Sequence, residues 1–296
     1  MLQTLFDALA LGSVYALMAV GIGLVFGVLR LVNFAYGQLI MAGAYALAIG
    51  SSHHWPVWVS ILTCFGVVIA LSLLMEIALF RPLRGASAAT MLVATFAVAF
   101  LLQSIALLKF GSLVKTASIL PGLFNPIGHG DFQTVRKITV VAIVCAAVAL
   151  LALTLLLNKT TLGLHMRAAA ANFQTARALG VRANEVITLA VVLSGVLAAV
   201  VSVILVIETP FVEPHFALRD TIIVLVGAVV GGLDRLWTAT LGGFLIGVAT
   251  SVFTDQLSST HSPYVDSFVF GLVILVLLVR PEGIFAPFRA RTVERA

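Results

Sequence analysis

The side chains able to do covalent chemistry are few and poorly spaced for it. The 296 residues contain no G-x-x-x-x-G-K-[ST] phosphate loop, no H-E-x-x-H zinc helix and no G-x-S-x-G elbow. The chain therefore carries no sequence means of hydrolysing ATP or of cleaving peptide or ester bonds. His53 and His54 adjoin each other ahead of Trp55 and Pro56. Without a cysteine or carboxylate nearby they make a poor metal site and read as an interfacial turn, with Trp55 and Trp58 as belt aromatics. Cys64 and Cys145 lie far apart inside apolar segments, without disulfide or metal-ligand spacing. Glu76 stands shortly before Arg81 and Arg84 and reads as half of a structural ion pair rather than a proton relay. Asp7, Gln103 and Glu208 are isolated polar residues with no partner evident from spacing. No catalytic and no metal-ligating residue is assigned.

Two stretches could instead serve the passage of a solute or the transfer of force. In VLRLVNFAYGQLIMAGAY, residues 28–45, Arg30, Asn33, Tyr36 and Gln38 interrupt two hydrophobic runs beside Gly37. Polar groups at membrane depth are costly unless they face protein or water, and Gly37 allows a helix to break or to be approached closely. A polar passage lined here and an ordinary turn at the membrane surface both fit the spacing. In residues 160–185, Met166, Ala169, Ala170, Phe173, Ala176 and Leu179 recur on one helical face while Arg167, Gln174 and Arg177 share another. Gly180 suits a left-handed C-terminal cap. Such a helix can dock in a groove of a soluble partner, or lie on the lipid surface with its bases toward anionic head groups.

The elements that hold these residues must be membrane helices. The chain is 61% hydrophobic and only 10% charged, with a mean hydropathy of +1.16. Apolar runs fall near 5–29, 31–50, 55–80, 88–108, 136–157, 186–207, 221–233, 238–253 and 265–279. They are continuous rather than alternating, which favours helices over barrel strands. The run at 221–233 is too short to span upright, and Gly227, Gly231 and Gly232 weaken it, so with 238–253 it is expected to form a broken or re-entrant pair. The expected fold is all-α: a single transmembrane domain over 1–296, with about eight spanning helices, one broken segment and a cytoplasmic loop at 158–185. The first run is longer than a signal-peptide core and reads as a retained helix.

The basic residues, with a net charge of +5, are scattered between apolar runs rather than gathered with aromatics. They argue for topology and not for nucleic acid. Placing Lys159, Arg167, Arg177 and Arg182 inside also puts Arg81, Arg84, Arg280, Arg289, Arg291 and Arg295 inside. Lys109, Lys115, Arg136, Lys137 and Arg219 then fall outside, most of them around the long 109–135 connection. The glycines of the first helix, Gly12, Gly21, Gly23 and Gly27, and those near the end, Gly242, Gly243 and Gly247 among them, read as close helix contacts.

Three landmarks in order give the chain a family resemblance. GSVYALMAVGIGLVFGVLRLVNFAYGQLIMAGAY opens it, TLGLHMRAAAANFQTARALGV follows in the cytoplasmic loop, and GGFLIG and RPEGIF close it. Over nearly its whole length it resembles the permease subunits of bacterial branched-chain amino-acid ABC importers, the LIV type. The resemblance implies a multi-pass protein of the bacterial inner membrane that binds no cofactor itself. Its implied partners are a second related permease or a second copy, two cytoplasmic ATPase subunits holding ATP and Mg, a periplasmic substrate-binding protein and membrane lipid. It also implies a substrate pathway at Asn33, Phe34, Tyr36, Gly37 and Gln38, and ATPase coupling through Arg167, Ala171, Asn172, Leu179 and Gly180. Where the family has His and an acid after N-F-A, this chain has Tyr36 and Gln38, and GGLDRLWTATLGG carries Asp234, Arg235 and Trp237 in unexpected places. The importer would carry hydrophobic amino acids or similar small organic solutes. An ion-coupled secondary transporter working without ATPases is the alternative, and a membrane-bound enzyme lacks any convergent set of reacting groups.

Overall fold

The computed structural model describes residues 2–83, 85–119, 136–171, 173–180, 182–233, 235–257 and 264–280. Arg84, Asn172, Asp234, the tail arginines Arg289, Arg291 and Arg295, and most of the RPEGIF landmark lie outside the described residues. The helices are α1 (Leu2–Leu29), α2 (Tyr36–Ser52), α3 (Val57–Met75), α4 (Ala88–Phe110), α5 (Lys137–Lys159), α6 (Thr161–Ala171), α7 (Phe173–Ala178), α8 (Ala183–Glu208), α9 (Leu218–Gly231), α10 (Leu236–Gln256) and α11 (Val265–Val279). A π-helical turn, Glu76–Phe80, prolongs α3. The described strands are β1 (Lys115–Thr116) and β2 (Phe211–Val212), which pair antiparallel with Lys115 opposite Val212. Six helices, α1, α3 with its π turn, α4, α5, α8 and α10, are long and apolar enough to cross a membrane. A segment that satisfies all its backbone groups internally is what lipid requires.

α1 is the hub. The apolar stretch of α1 is 78% buried, against 22% for those of α3, α4 and α5, so the last three form the periphery. α1 lies along α10 through small residues: a methyl group at Gly243 would come within 2.6 Å of the Ala19 Cβ and 2.8 Å of the Tyr15 carbonyl. One at Gly247 would meet the Gly12 backbone at 2.7 Å. Contact between backbones, rather than a hydrophobic drive, holds helices together in lipid. Gly12, Gly243 and Gly247 thus make the close contacts their spacing predicts, whereas Gly27 has nothing within 4 Å of an added Cβ.

The short run near 221–233 becomes α9, 14 residues long. It is joined to α10 by a turn in which Gly232 takes φ +99°. Its glycines join rather than weaken it, because Gly227 and Gly231 lie directly against Gly242 of α10. A second interruption lies between α1 and α2. Arg30 ends α1 at φ 54°, and α2 does not begin until Tyr36, whose ring lies against Gly21 inside the bundle. The starts of the two short helices meet there, with Gly37 against Thr221 and, at 3.0 Å from an added Cβ, the Ala217 carbonyl.

The two ends of the bundle have different chemistry. Arg30, Asn158, Arg167 and Trp237 gather at one end. Thr4, Asp7, Arg136, Glu208 and Asp255 gather at the other. This places the 158–185 loop opposite the start of α1 and the end of α8, as the charge alternation requires. Trp55 and Trp58 are exposed after His54, which turns at φ 53°.

Candidate functional site

The break before α2 is built by its own polar groups. Asn33 Oδ1 accepts from the Ala35 amide at 3.1 Å and the Asn33 carbonyl accepts from the Tyr36 amide at 3.3 Å. The amide side chain is thus spent on turning the backbone, a local Asx arrangement. Asn33, Tyr36, Gly37 and Gln38 are buried. The Tyr36 hydroxyl and Gln38 Oε1 have no hydrogen-bond partner among the described residues. Phe34 is half-buried and meets Phe96 of α4 edge-on, with ring centres 5.2 Å apart. Phe34 is therefore the side chain of this group that reaches the α4 face.

The loop at the opposite end from Thr4 is anchored on one side and bare on the other. α6 presses Met166 and Ala169 inward, and Gly163 sits against the Leu157 carbonyl, where a Cβ would overlap backbone. Arg30 Nη2 donates to the Ala170 carbonyl at 3.0 Å, tying α6 to the hub helix. Arg167 Nη1 donates to Asn158 Oδ1 at 3.3 Å. These groups rim a cleft of about 800 Å³ whose walls include Gly23, Gly27 and Trp237. Arg167, Ala171, Leu179 and Gly180 are exposed, Leu179 by 81%. The spacing predicts one helix across 163–180, and the described residues of that run are helical as α6 and α7, with Met166, Ala169 and Ala176 buried and Leu179, which follows α7, exposed. Gly180 does take the left-handed conformation, at φ +90°. Arg182, 2.8 Å from Glu185, is held above its ordinary value by that carboxylate; the pair is fully exposed and contributes little to stability.

Several polar residues of the bundle find partners here. Glu76, wholly buried, accepts from Arg81 Nε at 2.9 Å, while the Arg81 amide bonds the Glu76 carbonyl across the π turn at 2.9 Å. The structural ion pair expected from spacing is present. Asp7 accepts from Thr139 at 3.2 Å, and Gln103 meets His215 Nδ1 at 2.9 Å. Arg219, counted above with the outer loops, forms an ion pair with Asp266 in the first turn of α11. Its neighbour Asp220 accepts from the Tyr15 hydroxyl at 2.8 Å, halfway along α1. Among the described residues no three His, Cys, Asp or Glu side chains are grouped to hold a metal ion.

A helical bundle with a buried break before α2 and a tethered loop at one end is the setting for comparison with known proteins. The family described as branched-chain amino acid transport system / permease component matches residues 4–278. The chain belongs to that family. It is 31% identical over 299 aligned positions to the high-affinity branched-chain amino acid transport system permease protein BraD of Pseudomonas aeruginosa, covering 96% of this chain and 95% of the relative. It is 30% identical to LivH of Escherichia coli, covering 96% and 94%. Among solved structures, a chain of PsaBC from Streptococcus pneumoniae in complex with Fab superposes with a TM-score of 0.53 at 12% identity, over 95% of this chain and 94% of that one. That likeness shows a shared fold. Membership of the permease family makes the chain a membrane permease subunit of an ABC transport system, and its function is transport.

Proposed function

We propose that the chain passes branched-chain or other hydrophobic amino acids, or similar small organic solutes, into the cytoplasm as half of an ATP-driven importer. A second related permease, or a second copy, forms the other half. Two ATPase subunits on the inner face hold ATP and Mg, and a periplasmic binding protein delivers solute to the opposite face in the bacterial inner membrane. The relatives' names support the solute class. The observation that carries the mechanism is the α6–α7 loop, exposed at Arg167, Ala171, Leu179 and Gly180 and tied through Ala170 to Arg30 of the hub. Closure of an ATPase dimer against that bare surface would move α6, and the Arg30 tether would carry the movement to α1 and so to α10. A partner shifts such an equilibrium only by contacting its two states differently, and a loop gripped on one side and free on the other allows that.

The test is reconstitution of the permease pair, ATPases and binding protein in proteoliposomes. L-leucine uptake that requires ATP and the binding protein is the expected result. Uptake by the permease chains alone, driven by an ion gradient, would overturn this reading in favour of a secondary transporter.

A further inference from the structure

The two non-helical segments inside the bundle are in opposite surroundings. The 31–35 segment is enclosed, with Leu31, Asn33 and Ala35 buried. The 209–217 segment is not: Glu213 and His215 are exposed, although its end lies against the start of α2 and Asp220 reaches the midpoint of α1. Its first part is regular, since β2 pairs with β1 in the connection after α4. Beyond β2 the backbone is irregular down to the start of α2, and such backbone at membrane depth is tolerated only when enclosed by protein or facing water, so the exposed stretch around His215 requires water. Its side chains agree. Exposed His215 meets Gln103, which lies inside the spanning stretch of α4, and one turn further along exposed Arg219 grips half-buried Asp266. Four polar groups facing lipid would be costly; facing a water-filled route they are solvated. Below Gln103 on the same face of α4, Phe100, Phe96 and Phe34 continue as a run of neighbouring rings, each 5.2 Å from the next.

We infer that Gln103, His215, Arg219 and Asp266 form a polar collar on the α4–α9–α11 face through which the solute passes, Arg219 drawing its carboxylate and Asp266 its ammonium while the aromatic run takes its apolar side chain. This deepens the importer reading and rests on it. It moves the contact with solute from the enclosed Asn33–Gln38 break to the exposed corner, leaving Phe34 as the residue common to both.

Two measurements on the reconstituted complex test it. In a Cys145→Ser background, Gln103→Cys and His215→Cys should react with a charged, membrane-impermeant methanethiosulfonate at least about tenfold faster than Val148→Cys on the outer face of α5, in keeping with the cost of carrying charge into lipid. Equal rates would overturn the collar. Arg219→Gln and Asp266→Asn should each lower L-leucine uptake about tenfold or more, and the exchange Arg219→Asp with Asp266→Arg should assemble normally without restoring it. Restoration to the wild-type rate would reduce the pair to a strut and overturn the role given to it. A wild-type complex that hydrolyses ATP yet takes up no leucine rejects the amino-acid reading, while labelling at positions 103 and 215 still decides whether the collar is wet.

Discussion

At the scale of single residues, the glycines separate by what surrounds them. Gly180 has open space where a Cβ would go, so any penalty there comes from its φ of +90° alone. Non-glycine residues in that region cost about 1–2 kcal/mol, asparagine least. Gly180→Val should therefore lower the solute moved per ATP hydrolysed, with Gly180→Asn close to wild type; equal coupling ratios for both would remove the cap from the mechanism. Gly21 is the opposite case, being limited by contact: a methyl group there overlaps the Tyr36 hydroxyl and ring. That hydroxyl is buried without a partner among the described residues, so Tyr36→Phe removes an unsatisfied group and should be neutral or stabilising. Gly21→Ala should lower the melting temperature, and adding Tyr36→Phe should recover part of the loss, since ring carbons still lie close. Strict additivity in that cycle would show that the two residues are not in contact.

At the scale of elements, helix contacts in lipid depend on how near two backbones come. α9 and α10 meet where Gly242 faces Gly227 and Gly231, with the Gly231 Cα 2.7 Å from an added Cβ. Backbone cannot step aside as a side chain can, so Gly242→Val should cost about 1–3 kcal/mol or more as overpacking and should lower the melting temperature of the detergent-purified protein. Gly66→Val in α3, where an added Cβ meets nothing, is the control and should melt as wild type. Matching losses in both would mean that β-branching, not contact, sets the effect. These elements also show what could be read from the chain before its structure. Length and hydropathy were enough for α1, α3, α4, α5 and α8, because each is a self-contained hydrogen-bonded span; α10, read at 238–253 as part of a broken or re-entrant pair, is itself long and apolar enough to cross. The late start of α2 and the inward turn at 209–217 were not legible as such. Each depends on tertiary neighbours, Thr221 against Gly37 and Tyr15 beneath Asp220, that no local spacing announces. The Arg219 ion pair was not legible for the same reason, since its partner Asp266 lies on another helix. The left-handed Gly180 was legible because a glycine after an amphipathic run is a local signal.

At the scale of the whole molecule, everything about force transfer depends on which side of the membrane each end occupies. The bundle has Arg30, Arg167 and the α6–α7 loop at one end, and the start of α1 and the end of α8 at the other. More basic loop residues lie with the first group, so the positive-inside rule predicts that this end faces the cytoplasm. Leu179 and Leu113, each 81% exposed, lie on opposite ends: Leu179 just after α7, Leu113 just after α4. Cysteines placed at these two positions can therefore be reached by an impermeant thiol reagent from one side only. Leu179→Cys should label in inside-out vesicles and Leu113→Cys in right-side-out ones, with Cys64 silent because it is buried and Cys145 replaced by serine. The reversed pattern would turn the loop away from any cytoplasmic motor. If the pattern holds, adding the ATPase subunits should slow labelling at position 179 and leave 113 unchanged, because a partner that grips the bare side of α6–α7 covers Leu179 and touches nothing at the far end.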